Sequence, residues 1–379
     1  MTFLHRIIDY HETHLVWFHW SISIPIFRHE LSQAVQSSGS LQLRQLDLRW
    51  TALLFALLCS ATVCCDDSTA NLWGFSREGK CRRGRERWDA SITCLSRARY
   101  MAVPHLCSIN TIIVLTLPAH LLGHTTELFA MYGVAMRLAQ SLGLHKLSYD
   151  PEIDSLNTTI ISKAEKVRRR EMGGRAFILL RMHDMFALAF TDMSVIDHKP
   201  FQKQADLHDR YFIHESHCKA ALTRRIQDED LSLCAESEPH YADWSIWLFQ
   251  LADLVAQCHK SILADHDDER AYRSMLEFDA KIRAHDLPAA LLIDSDQPWV
   301  RWARQEAIIV RANKIGYIHR RFFRKSFANE RFAYSRWASV ESARATVRQV
   351  EAAWVHNSSR PRLWNDEVRS MLSVRRTRN

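Results

Sequence analysis

MYGVAMRLAQSLGLHKL, residues Met131–Leu147, carries the spacing of a helix with almost no polar side. At helical spacing Leu128, Tyr132, Ala135, Ala139 and Leu142 fall on one stripe. Met131, Val134 and Leu138 flank it, which confines the polar groups to Arg137, Gln140 and Ser141. A helix patterned this way is buried on most sides. Gly133, Ala135 and Ala139 would let neighbouring helices come close, and Gly143 suits the left-handed residue just past a helix end. No catalytic group is displayed. The stretch is built for packing.

Later segments repeat the pattern. Trp244, Trp247, Leu248, Leu251, Leu254, Val255, Cys258 and Ile262 share a face, opposite Gln250, Asp253, Gln257 and Lys260. Ile308, Ala312, Ile315, His319 and Phe322 form another stripe, and Val340, Ala343, Val347, Val350 and Trp354 a third. Alternation of period two is not sustained anywhere, so the expected fold is all-α, a large multi-helix bundle. The chain, 1–379, is read as one helical domain that divides into two halves joined near 148–166, where Ser148–Ser162 is rich in Ser, Asn and Thr.

Composition agrees and excludes several kinds of chemistry. Ten glycines and nine prolines in 379 residues are too few for a turn-rich sheet protein. Neither a dinucleotide-binding G-x-G-x-x-G nor a phosphate-binding G-x-x-x-x-G-K-[ST] occurs. The G-x-S-x-G elbow of a serine hydrolase is missing too. The nine cysteines are odd in number and form no C-x-x-C pair, which points to reduced thiols in an intracellular protein. Trp50–Cys65 is too short to span a membrane, and Pro104–Leu122 carries His105, Asn110, Pro118 and His120. Both read as core helices, so no membrane partner is expected.

Charge is uneven. Residues 299–379 hold 18 Lys and Arg against 6 Asp and Glu, so a chain of net +7 carries +12 there and −5 before it. These arginines are scattered over helix faces without a groove-reading motif, and the pattern reads as a solvated face.

Three clusters invite a metal. His11-Glu12-Thr13-His14 is one residue short of the H-E-x-x-H that sets two ligands on one helical face. His214, His217 and Cys218 offer three donors in five residues, yet no second cluster completes four ligands. Asp265-His266-Asp267-Asp268-Glu269 lacks the spaced ligands and central Gly of a calcium loop. None of these is assigned as a site: no catalytic residue, metal or cofactor is expected, and the protein is not read as an enzyme.

Tyr132–Leu147, YGVAMRLAQSLGLHKL, resembles a signature of the fungal-specific transcription factor domain, the regulatory domain of fungal zinc cluster transcription factors. Gly133, Ala135, Arg137, Ala139, Leu142, Gly143, Leu144 and His145 match its first part; Arg168-Arg169-Arg170 and Asp184 match its second. WFHWSISIPIFRHE, with Pro25 and Phe27, is similar to the family's opening segment. Residues 88–133 resemble its central helical pair, and residues 319–347 its later His-Arg segment and Ala-rich helix. The similarity covers roughly residues 10 to 360 in the family's order.

The resemblance implies a nuclear regulator of transcription, with a metabolic or secondary-metabolite gene set as the expected target. It implies partners in the transcription machinery or a DNA-binding regulator, and a homo- or heterodimer. The family's six-cysteine zinc cluster is not spelled in this sequence, so direct DNA binding is not expected. Thr191-Asp192-Met193 replaces the family's Gly-Arg-Pro, and Glu171–Arg175 reads as an insertion. The arginine run is expected in a first helical turn, where the macrodipole disfavours cations, so a structural ion pair with acidic neighbours is expected ahead of contact with a small-molecule effector, whose identity the sequence does not give. The competing readings are a diverged remnant with only a protein-interaction role, and a metal-dependent helical enzyme using His214, His217 and Cys218.

Overall fold

Why does this sequence make helices and little else? Scarce glycine and proline leave few chain breaks, and caps mark the ends that exist. In the computed structural model Asp47, Asp66, Ser76 and Asp267 each accept a hydrogen bond from a first-turn amide, and Gly123 and Gly143 terminate helices at positive φ. The structure describes residues 2–36, 41, 46–147, 161–191, 226–229, 231, 234–356 and 360–363. No β-strand occurs among the described residues, so the chain is all-α.

The helices are α1 Thr2–His14, α2 Val16–His19, α3 Ile24–Gln36, α4 Leu48–Cys64, α5 Asp67–Leu72, α6 Arg77–Arg97, α7 Leu106–Val114, α8 Thr116–Leu122 and α9 Thr125–Ser141. They continue with α10 Ile161–Thr191, α11 Tyr241–Ala264, α12 Asp268–Arg283, α13 Ala289–Leu292, α14 Pro298–Ile318, α15 Arg320–Phe323 and α16 Ala333–His356. Of the connection read at 148–162, residues 148–160 lie outside the described residues, and Ile161 and Ser162 already belong to α10.

Two units divide the chain: the described residues within Met1–Arg181, Phe201–Ile246 and Pro361–Leu363, and those within Met182–Pro200, Trp247–Arg360 and Trp364–Asn379. The core of the first unit is α4, buried along most of its length from Trp50 to Cys64. Its partner α6 is strongly polar and buries a narrow stripe, Lys80, Gly84, Trp88, Ser91 and Leu95. Gly84 makes the approach close, because a Cβ there would stand 2.5 Å from Val63 Cγ2. The Cys59 thiol donates to the Gly84 carbonyl at 3.3 Å, and the Ser91 hydroxyl to the Ala52 carbonyl at 2.9 Å. Pro104–Leu122 folds as α7 and α8, with Leu115 between them, and both are buried. No helix among the described residues is long and apolar enough to cross a membrane.

On α9 the expected stripe holds for Leu128, Tyr132, Ala135 and Ala139 and fails at Leu142, which is exposed. The chain has already turned there: Gly143 sits at φ +72. Gly133 is half-buried. Arg137 is exposed, and its guanidinium donates to Gln140 Oε1 at 3.0 Å. Arg137→Ala is therefore expected to change stability by no more than about 0.5 kcal/mol in urea denaturation.

In the second unit α14 packs on α16. The stripe expected on α16 is displaced: Val340 and Ala343 are exposed, Val347 is half-buried, and the buried positions are Ser335, Ala338, Ser342 and Val350. Trp354's side chain lies outside the described residues. Small residues allow close approach; a Cβ on Gly316 of α14 would lie 3.6 Å from Ser342 Cβ. Tyr272, Phe322 and Phe332 form a ring cluster beside them, with centroids 4.8–5.2 Å apart.

Candidate functional site

Two of the segments quoted above, Tyr132–Leu147 and Trp17–Glu30, meet α10. Leu144 and Leu147, just past Gly143, lie against Gly173, where a Cβ would meet their methyl carbons at 3.0 and 3.2 Å. The arginine run begins two turns into the helix rather than in its first turn, which relieves the conflict with the macrodipole. Arg168 and Arg169 have partners within the chain. Arg168 donates to the carbonyls of Asp228 and Glu229 at 2.5 and 2.7 Å. Arg169 donates to Glu165 and Glu30 at 2.8 and 3.0 Å.

Glu171–Arg175, read as an insertion, is continuous α-helix and contributes a buried ion pair, Arg175 with Asp228. Arg175 lies two turns beyond Arg168, on the same face, and both reach the segment 226–229. Its side chain is 2 % exposed and donates to both oxygens of Asp228, at 2.8 and 3.1 Å. The guanidinium carbon also stands 3.6 Å from the centre of the Trp20 ring. Trp20 adopts φ +24, a backbone region rare for non-glycine residues, and His240 packs edge-on against it at 4.8 Å. Val167, Ile226 and Leu231 close an apolar cluster beside the pair. A bidentate arginine clamp fixes geometry and moves no protons. It fastens 226–229 onto α10.

A second constellation lies in the other unit. The Ser335 hydroxyl is 2.8 Å from His319 Nδ1, and His319 Nε2 stands 3.3 Å from Asp279 Oδ1. Hydroxyl, imidazole and carboxylate in this order are the elements of nucleophilic catalysis. Burial would raise the Asp279 carboxyl, but contacts from His319, Arg283 and Tyr334 outweigh it and hold the group down at about 2. Ser335 and His319 are fully buried, so no substrate reaches the hydroxyl. The network ties α12, α14 and α16 together. Sequence spacing could not reveal it, because Asp279 and His319 meet only through the fold.

Glu12 is committed to Arg28 in an ion pair. His11 is buried with neither ring nitrogen hydrogen-bonded. In the acidic run Asp267 caps α12, Asp268 pairs with Arg321 and Lys325, and Glu269 pairs with Arg331. No group of three His, Cys, Asp or Glu able to hold a metal ion occurs among the described residues. His214, His217 and Cys218 lie outside them, as do Asp192 and Met193.

Burial alone pulls His11 from 6.5 down to about 3. Between those values the unfolded chain binds a proton that the folded chain does not, so stability falls as pH falls through that window. The slope approaches about 1.4 kcal/mol per pH unit. Comparing urea midpoints near pH 7 and near pH 5, His11→Leu is expected to flatten this loss.

Many arginines of the basic C-terminal part are also spent inside the fold. Arg304 donates to the carbonyls of Leu291 and Ile293, Arg311 to that of His285, and Arg360 pairs with buried Glu306. No protein-family model matches the sequence, and no curated protein is similar to it.

Proposed function

We propose that this protein is a helical regulator of transcription of the fungal-specific type, acting in the nucleus through other proteins rather than through its own chemistry or its own reading of DNA. The observation that supports this reading is the meeting of the two motif segments at Gly173, with Arg168 and Arg169 of the run held in internal contacts. A scaffold that commits its charges in this way presents shape and surface to partners. The partners of such a scaffold are the transcription machinery or a DNA-binding regulator.

The test is to tether the full chain to an unrelated DNA-binding module upstream of a reporter gene. Reporter output is expected to change on tethering and to return to baseline when Arg175→Ala loosens the clamp. An unchanged output from a well-expressed fusion would overturn the reading. The purified chain alone is expected to bind specific and scrambled DNA equally weakly, with affinity that collapses as salt rises.

A further inference from the structure

We propose that the outer face of α16, with the 3₁₀ turn Lys325–Phe327 before it, is a docking surface for an acidic amphipathic helix of a partner protein. The helix inverts the usual partition of side chains. Its inner face buries Ser335, Ala338 and Ser342, while Tyr334, Trp337 and Val340 stand 38 %, 53 % and 38 % exposed at steps of three residues. Phe327 is 65 % exposed on the turn. Large apolar groups gathered outside, when the same helix buries small polar ones, mark a face shaped for something other than this chain's core.

The face is also held in place before any partner arrives. The Tyr334 hydroxyl donates to Asp279 at 2.8 Å, and the Tyr334 and Trp337 ring centres are 5.4 Å apart. The guanidinium carbon of Arg283 lies 5.8 Å from the Trp337 ring centre, and that of Arg336 lies 5.4 Å from Phe327's. Fixed aromatic and arginine side chains are the types that dominate binding energy, and fixing them beforehand lowers the ordering cost.

Charge selects the occupant. Residues 320–351 hold eight Lys and Arg against three Glu, a net of +5, and Asp268 and Glu269 from α12 pair with three of these cations, Arg321, Lys325 and Arg331. Arg320, Arg324 and Arg348 are exposed and form no ion pair among the described residues. An apolar line rimmed by cations matches a helix with an apolar stripe flanked by Asp and Glu. A second copy of this face would bring like charges together. The inference does not rest on the transcriptional reading.

The experiment titrates the full chain against a fluorescein-labelled synthetic peptide of about five helical turns. The peptide carries Leu and Phe at helical spacing and Asp or Glu elsewhere. Saturable binding is expected, weakened about tenfold by Trp337→Ala and again by Arg348→Glu, with both variants melting like the parent. The proposal is overturned if the peptide does not saturate, or if a scrambled or lysine-substituted peptide binds as well. It is equally overturned if neither variant weakens binding, if a single-stranded oligonucleotide displaces the peptide, or if Trp337→Ala instead abolishes self-association of the chain.

Discussion

Arg175→Ala is expected to lower unfolding free energy by about 3–5 kcal/mol, the cost of leaving one partner of a buried ion pair unpaired. Asp228, 12 % exposed, would lose both hydrogen bonds, and Trp20 would lose the cation over its ring. An ordinary domain has only about 5–15 kcal/mol in total, so the variant would sit close to the unfolding threshold. The double variant Arg175→Met with Asp228→Leu removes both charges and is expected to recover much of the loss. Urea denaturation of the two singles and the double closes the cycle. Equal midpoints for Arg175→Ala and the parent would show that 226–229 is not clamped to α10 as described.

Gly84→Leu is expected to cost about 3 kcal/mol, the upper part of the usual range for overpacking. Its first side-chain carbon alone would stand 2.5 Å from Val63 Cγ2 and 3.5 Å from Leu122 Cδ2. Neither neighbour is a loose surface chain, so α4 and α6 must separate. Gly84→Ala meets the same contact with less bulk and is expected to be milder. Scanning calorimetry of both variants is the measurement, and parental melting of Gly84→Leu would refute the close approach.

Helix class was legible because apolar spacing on α9 and α11 is regular and breakers are rare. The core role of α4 was legible because its apolar run is too short to span a membrane. What stayed hidden has physical causes. The buried stripe of α6 contains lysine, glycine and serine, so a reading weighted by apolar size passes over it. On α16 that weighting chose Val340 and Ala343, while close packing selected serines and alanine. Arg175 looked like an insertion because its partner, Asp228, is 53 residues away. Its spacing from Arg168, two helical turns on one face, was the available signal. The contact between His319 and Asp279 left no trace in spacing at all.

The cysteine at the α4–α6 contact turns the packing of the first unit into a clock. Burial pushes the Cys59 thiol far up, so it carries almost no thiolate while the helices stay together. Cys64 is shifted upward by the same cause, whereas Cys81 is exposed on α6. An alkylating pulse therefore marks Cys81 at once and reaches Cys59 only when α6 lifts away from α4. The interval between the two labels, read by mass spectrometry, measures how often that seam opens in the native protein.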